Sequence, residues 1–514
     1  MKTRPAASKS TPDVVDRWSP GAALELQRRA HRREGPPSAA VRRDRLDRLV
    51  LLLTDNAAAF SEALDADFGN RPQVVNYLSD IAGILPDIAL TRARLGTWMK
   101  PRRVLPWAAL AGLDTVVEKK PLGVVGIIGP WNFPIGLVAE PAASALAAGN
   151  RVMIKFSEVT PRTAKLFAAR AAEYFTPEEL VVVTGGADVG AEFSALPFDH
   201  LFFTGSPAVG ALVASAAGAN LVPVTLELGG KNPAVIGPDA DIARSADRLM
   251  SARLVNGGQV CLCPEYVFVP RAATHEFIDE ALKIARRILT STDGAGLVSM
   301  IDDKNFDRVV ALIEDAQAKG ATVFHAASTS GEFADRSARR IDPTILLGVT
   351  DDMTIAHDEV FGPVLAIHPY DTVDEIIDYV VARPSPLAAY WFGRKDRNFQ
   401  KFRSLATSGG MTVNDCFAHC VMMTAPFGGV GRSGFGAYHG KAGFDTFTHH
   451  RTITTNRLPL SFAKMLVPPF SGRYTGAIGK YIAYTQKKAL SRQRRAAQRT
   501  PRAVVPVSTT GELR

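Results

Sequence analysis

Short apolar runs recur through the middle of this chain, each separated from the next by a helical stretch. GVVGIIG (123–129), NRVMIKF (150–156), ELVVVTG (179–185), HLFFTG (200–205) and PAVIG (233–237) form one series. EYVFVP (265–270), LAIHPYD (365–371) and LAAYWFG (387–393) form a second. An unbroken apolar run suits a strand buried on both faces, and an intervening helix suits a parallel crossover. The alternation therefore predicts an α/β fold with parallel sheets covered by helices. The Ala-rich PAASALAAG (141–149) is the first crossover helix, and GGMTVND (409–415) and FTHHRTITTN (447–456) read as late strands.

Residues 21–95 have a helical pattern; in RDRLDRLVLLLTDNAAAFSEALDADFG (43–69) apolar residues fall three and four apart. Pro101 and Pro106 break that pattern, and LDTVVEKKP (113–121) reads as extended strand. A chain of 514 residues is too long for one core, so two or three domains are expected. Residues 1–20 are polar and read as loose, without the apolar stretch of a secretory signal. No run of roughly 18 or more uncharged apolar residues points to a membrane span. Four cysteines are too few for a disulfide framework, and a reducing, cytoplasmic setting is expected.

The formal charge of +9 suggests a nucleic-acid binder until it is located. Residues 476–514 hold nine basic side chains against one acid, Glu512, a net +8 that leaves the rest near neutral. No nucleic acid is expected as a partner of the body. GKYIAYTQKKALSRQRRAAQR (479–499) reads as a basic helix with Ile478, Ile482 and Leu490 toward one side. It is either a solvated extension or a contact for an acidic membrane surface.

NGGQVCLCPEY (256–266) holds two of the four cysteines one residue apart. With Cys416 and Cys420 they suggest a four-thiolate zinc site, but paired zinc cysteines stand about two to four residues apart. No metal is expected. A redox pair is a second reading, and a nucleophile is the third. A nucleophile also needs donors for developing charge and a base. GPWNFP (129–134) offers Asn132, TLELGGKNP (225–233) offers Glu227, and DEVFGPVL (358–365) offers Glu359 and Phe361. Any one of these alone is a weak signal, since a carboxylate at a strand end is more often a solvated loop residue.

Taken together, these segments resemble the NAD(P)-dependent aldehyde dehydrogenase superfamily over about residues 20–470. GNRVMIKFSEVTP, FTGSPAVG, SGGMTVND and PFGGVGRSGFGAYHG join the three motifs and the cysteine segment in the family's order. The later segments are most similar to the class 3 branch and, within it, to bacterial coniferyl aldehyde dehydrogenases. The resemblance implies a Rossmann-like cofactor domain (20–104 and 123–230), an α/β catalytic domain (231–408), and a bridging oligomerisation arm (105–122 and 409–450), with 476–514 as a basic tail. It implies a homodimer acting on a small-molecule aldehyde. The nucleophile falls on Cys261, with Cys263 a bystander; the general base falls on Glu227 and the oxyanion amide on Asn132. Lys155 and Glu158 match positions meeting the adenosine ribose, Glu359 the nicotinamide ribose, and Phe361 packs nearby. Gly205, Ser206 and Gly210 lie in the stretch meeting the dinucleotide. Phe156, where many relatives have Pro, and Gly257 depart from the pattern.

The chemistry suits these residue types. Thiolate addition makes an aldehyde carbon tetrahedral, so hydride can leave; Asn132 and the Cys261 N–H can hold the oxyanion, and Glu227 can activate the water that cleaves the thioester. Lys155 attracts the 2′-phosphate of NADP, whereas Glu158 repels it and suits a free ribose hydroxyl, so NAD is favoured and NADP is the alternative. Trp131, Phe133 and Phe417 suit an apolar entrance for aromatic or long-chain aldehydes, and equally suit plain core. His419 and His439 lie near that mouth or are structural. GVGRSG (429–434) fits G-x-G-x-x-G but follows Pro426-Phe427 late in the chain and reads as a tight loop. A coenzyme A-acylating dehydrogenase and an inactive scaffold are the competing readings; Glu227 speaks against the first and the intact trio against the second.

Overall fold

The structure, a computed structural model, describes residues 18–110, 112–290, 296–327, 333–459, 461–470 and 472–499. The N-terminal segment read as loose lies outside them up to residue 17, as do residues 500–514 of the basic tail.

A six-stranded sheet runs in the order Gly434–Phe435, Val224–Leu228, His200–Gly205, Val124–Ile128, Arg151–Lys155, Leu180–Val183. All neighbours are parallel except the short Gly434–Phe435 edge. Its strands alternate between two cores. Val125, Ile127, Ile154 and Phe202 join one apolar cluster, while Val124, Met153, Leu201 and Phe203 join another on the opposite face. Burial on both faces is why these runs are unbroken in the sequence; each such side chain contributes about 1.5–3 kcal/mol.

A seven-stranded sheet runs Thr322–His325, Thr344–Leu347, Val364–Tyr370, Pro264–Pro270, Asn232–Ile236, Ala388–Phe392, Gly410–Val413, parallel but for its first pair. The change of sheet thus falls between Leu228 and Asn232. Helices Pro20–Glu34, Ala39–Asp55 and Ala57–Phe68 open the described chain, and Ser19 and Ser38 cap the first two by accepting from Ala22 N and Val41 N. The helical run from Gln73 to Trp98 has the length and apolarity of a membrane span. Ile81, Ile84, Ile88 and Leu95 nonetheless lie in the core, and Asp80 and Asp87 are buried within the run.

Both sheets belong to one compact unit, comprising the described residues of 18–101 and 118–451. The second unit comprises 102–117 and the described residues from 452 onward. The expected arm is therefore divided differently: Gly410–Val413 is an edge of the second sheet and Gly434–Phe435 an edge of the first, so most of 409–450 packs with the main body. LDTVVEKKP does form a strand, Leu113–Pro121, between Arg102–Val104 and Thr448–Asn456. The second unit ends in the helix Gly472–Arg499. Tyr474, Ile478, Tyr481 and Ile482, spaced as neighbours on one helical face, are all exposed.

Candidate active site

In the first sheet, paired residues fix what lies at the carboxyl ends of the strands, where ligands of open parallel sheets bind. Ile128 stands level with Lys155 and with Phe203, and Thr204 stands level with Glu227. The loops and strand ends carrying Asn132, Lys155, Gly205 and Glu227 therefore lie along one edge. Ser206 caps the helix Pro207–Ala219 there, accepting from Val209 N at 3.3 Å. Gly205 and Gly210 allow close packing, since a Cβ would stand 2.5 Å from the Phe203 ring or 2.7 Å from Leu228. The motif GVGRSG forms a short 3₁₀ turn, Gly431–Ser433, leading into the edge strand, and opens no long helix.

The second sheet contributes from the opposite ends of its strands. The segment 256–263 precedes the Pro264–Pro270 strand and is irregular: Asn256, Gly257 and Gly258 all have positive φ, at 52°, 66° and 80°. Its carbonyls are tied down one by one. Asn232 Nδ2 donates to the Cys261 and Cys263 carbonyls at 2.7 and 2.9 Å, and Tyr390 Oη donates to the Leu262 carbonyl at 2.6 Å. Gln259, wholly buried, donates to the carbonyls of Asn256 and Ser299 and accepts from Ile301 N. Arg253, paired with Glu265 at 2.7 Å, donates to the carbonyls of Gly258, Pro264 and Gly362.

Asn132 joins the two ends. Its amide donates to the Gln259 carbonyl at 3.1 Å, two residues before Cys261. An amide has two N–H donors, so one is left for an oxyanion. Cys261 is half-buried. Burial, then Glu359, Cys420 and Glu227, push its thiol well above the usual range, so at neutral pH it keeps its proton. Glu227 is buried, and neither carboxylate oxygen has a hydrogen-bond partner among the described residues. Burial and the neighbouring Glu140 raise its pKa well above the carboxylate range. Buried carboxyls without a partner and with a strongly raised pKa cluster at functional sites. Cys263 differs: fully buried, it donates to the Ala252 carbonyl at 3.3 Å, and burial pushes it up to about 12.

Glu359 packs against Gly229, where a Cβ would collide with its carboxylate, and accepts from the Gly230 N–H. Burial raises it to about 8. Phe361 has φ 47° and meets Trp131 edge-on at 5.3 Å. Lys155 is buried; its ammonium donates to the Phe156 carbonyl at 2.8 Å and pairs with the half-exposed Glu158 at 3.5 Å. The Phe156 ring turns into the core against Phe167, away from that pair. Phe133 and Phe417 are half-buried against the main core. His419 accepts from or donates to Thr412 Oγ1 at 2.7 Å, and His439 pairs with Glu140 at 3.1 Å.

Arg71, Asp80, Asn256, Gln259 and Glu140 were not singled out as site residues by the sequence. Gln259 and Asn256 lay within the cysteine motif; Arg71 and Asp80 carried no local signal.

Known proteins share this arrangement of chain. Residues 21–453 match the aldehyde dehydrogenase family. A coniferyl aldehyde dehydrogenase of Pseudomonas sp. (strain HR199) is 44% identical over 84% of this chain and 90% of its own. A probable coniferyl aldehyde dehydrogenase of Caulobacter vibrioides is 42% identical over 90% of this chain and 96% of its own. Among solved structures, the substrate-bound state of Staphylococcus aureus AldH superposes with a TM-score of 0.83 at 32% identity, covering 89% of this chain and 98% of that one. A match of that extent, on a fold with these strand ends facing this cysteine turn, places the chain in the aldehyde dehydrogenase family, as an oxidoreductase that oxidises aldehydes.

Proposed function

We propose that this enzyme oxidises an aromatic aldehyde, coniferyl aldehyde or a close analogue, to the carboxylic acid, with long-chain aldehydes as the alternative substrates and NAD as the hydride acceptor. The observation that carries the reading is the convergence of Cys261, Asn132 and Glu227, drawn from two sheets onto one turn.

Cys261 loses its proton to solvent, the thiolate forms a C–S bond to the aldehyde carbon, and the carbonyl oxygen becomes an oxyanion. The free N–H of the Asn132 amide and the Cys261 N–H stabilise it; loss of one such donor typically costs about 3 kcal/mol. When bound, the oxidised dinucleotide supplies the hydride acceptor and a positive ring charge. Loss of hydride leaves a thioester on Cys261. Glu227 then takes a proton from water, whose oxygen adds to the thioester; the C–S bond breaks and the acid departs.

The strand-end groups fit a dinucleotide. Glu359 presents a carboxyl group held against Gly229 and Gly230, suited to ribose hydroxyls. The Lys155 charge is already engaged by Glu158, which favours a free 2′-hydroxyl over a 2′-phosphate and so NAD over NADP. Trp131 and Phe417 provide aromatic, half-buried surface that suits a planar aromatic substrate, and the relatives named for coniferyl aldehyde support that choice. Four free cysteines suit a reducing, cytoplasmic setting. A homodimer is the assembly that the family resemblance favours. The tail helix, with exposed Tyr474, Ile478, Tyr481 and Ile482 and no acid over 472–499, suits peripheral contact with an anionic membrane surface, which sedimentation with anionic and zwitterionic vesicles tests.

The deciding experiment is NADH formation with NAD or NADP and a panel of coniferyl aldehyde, benzaldehyde and a medium-chain alkanal. Wild type is expected to turn over coniferyl aldehyde with the highest kcat/KM, and Cys261→Ala to form no NADH. No turnover of any aldehyde, or turnover surviving in Cys261→Ala, removes the reading.

A further inference from the structure

Arg71 lies in the loop after the Ala57–Phe68 helix, 61 positions before Asn132, and is 1% exposed. Its guanidinium meets four polar partners and two aromatic rings. It pairs with Asp80 at 2.8 Å. Its Nε donates to Asn256 Oδ1 at 3.0 Å, and its Nη2 donates to the Asn132 carbonyl and to Ser79 Oγ, both at 3.2 Å. Its planar face lies over the ring of Phe68 at 4.8 Å and that of Phe133 at 5.4 Å. Asp80 in turn accepts from Ile135 N and Gly136 N, at the far end of the same loop that carries Asn132.

Asn256 closes the ring. Its Nδ2 donates to the Asn132 carbonyl at 3.2 Å and to the Gln259 carbonyl at 3.3 Å. The Gln259 carbonyl is the same atom that the Asn132 amide grips. One guanidinium therefore sets the backbone of Asn132 from one side and, through Asn256, the acceptor of the Asn132 amide from the other. A charged, fully desolvated guanidinium that donates to both Asn132 and Asn256 is costly unless that geometry is needed. Plain core packing at this position would be as well served by an apolar side chain of similar volume.

We propose that Arg71, anchored by Asp80, is a positioning residue that holds the Asn132 amide in register with the Cys261 turn, and so sets the oxyanion site without touching substrate. This rests on the reading of Cys261 as nucleophile and Asn132 as oxyanion donor. A displacement of the amide by about 1 Å is expected to lower the rate of the chemical step about 100-fold. Binding of aldehyde and dinucleotide makes no use of the amide's register and is expected to be little changed.

The test is a cycle of Arg71→Lys, Asn132→Ala and the double variant, assayed for NADH formation and, without dinucleotide, for hydrolysis of 4-nitrophenyl acetate. Lysine keeps the charge opposite Asp80 but cannot reach Asn256 and Asn132 together. The expected result is a fall in kcat of about 100-fold in Arg71→Lys with KM within a few-fold of wild type, in both assays. In the Asn132→Ala background the same substitution is expected to add almost nothing, because contacts in one network are non-additive. Asn256→Ala, which removes the middle link and leaves the ion pair, is expected to act in the same direction and covers the case in which Arg71→Lys does not fold.

Arg71→Lys or Asn256→Ala with wild-type kcat overturns the proposal, and so does an effect that simply multiplies with that of Asn132→Ala, as expected of a cross-tie that only stabilises the fold. Asn132→Ala with wild-type kcat overturns instead the oxyanion reading on which it rests.

Discussion

The two sheets feed one site in opposite ways. The first offers side chains from the carboxyl ends of regular parallel strands: Glu227 takes its place from a register shared with Thr204, and Lys155 from one shared with Ile128. The second offers Cys261 from an irregular turn ahead of a strand, in which three consecutive residues have positive φ and the carbonyls of Gln259, Cys261, Leu262 and Cys263 are held by side chains distant in sequence. Ladder geometry places Glu227 at no extra cost, whereas the turn of Cys261 needs Asn232, Tyr390, Arg253 and Gln259 to keep its backbone in a conformation it would not choose alone.

If that contrast holds, chemistry and stability separate between the halves. The largest effect is expected at the strand end. Glu227→Gln keeps shape and removes the base, so steady-state turnover falls by about 10²–10⁴ while the first equivalent of NADH still appears as a burst. Stopped-flow absorbance checks this; a variant that loses the burst along with turnover would place Glu227 before hydride loss rather than after it.

The next effect belongs to the turn. In Gly258→Ala a Cβ lands on the Gly362 carbonyl, at φ 80°. A loss of about 1–3 kcal/mol in stability is expected from urea unfolding, with activity reduced in the fraction that folds. A variant as stable as wild type would mean that the turn yields, and the contrast between the sheets would dissolve.

The smallest effect lies behind the base. Burial lowers the proton affinity of His439, but Glu140 and Asp87 outweigh it and leave the pKa raised; Asp87 itself is raised to about 6, by burial and by Glu140. A histidine with a raised folded pKa contributes stability that is full below about 6.5 and is lost as pH rises through the folded value. Glu227 has the reverse relation to activity, because it must lose its proton to serve as base. Glu140→Gln removes the partner of His439 and the like charge beside Glu227. The rising limb of kcat against pH is expected to move to lower pH, and Tm to drop more at pH 6 than at pH 9. An unshifted limb with an unchanged Tm difference would detach Glu140 from both groups.

Much of this was legible in advance, for physical reasons. A strand buried on both faces writes an unbroken apolar run, so GVVGIIG, NRVMIKF and HLFFTG announced their strands, and glycines at strand ends marked the edge where ligands meet the sheet. Cys261 stood out as one of two cysteines a residue apart, and the family resemblance set it above Cys263; the structural need for Gly257, where a Cβ would meet the Val298 carbonyl at 2.6 Å, was not read. Arg71 and Asp80 did not stand out. A guanidinium that works through contacts at positions 132 and 256 leaves no periodic trace near position 71, and the surrounding helical pattern reads as ordinary surface. Glu140 was hidden in the same way inside an Ala-rich helix. GGMTVND announced the edge strand Gly410–Val413, but the other edge, Gly434–Phe435, went unread because a two-residue strand has no period to detect.

The neutral resting state of Cys261 has a further consequence. Peroxide attacks the thiolate and scarcely touches the thiol. Burial, Glu359, Glu227 and the thiols of Cys420 and Cys263 all hold the Cys261 sulfur toward its protonated form. Its durability and its reactivity are thereby assigned to different moments of the catalytic cycle.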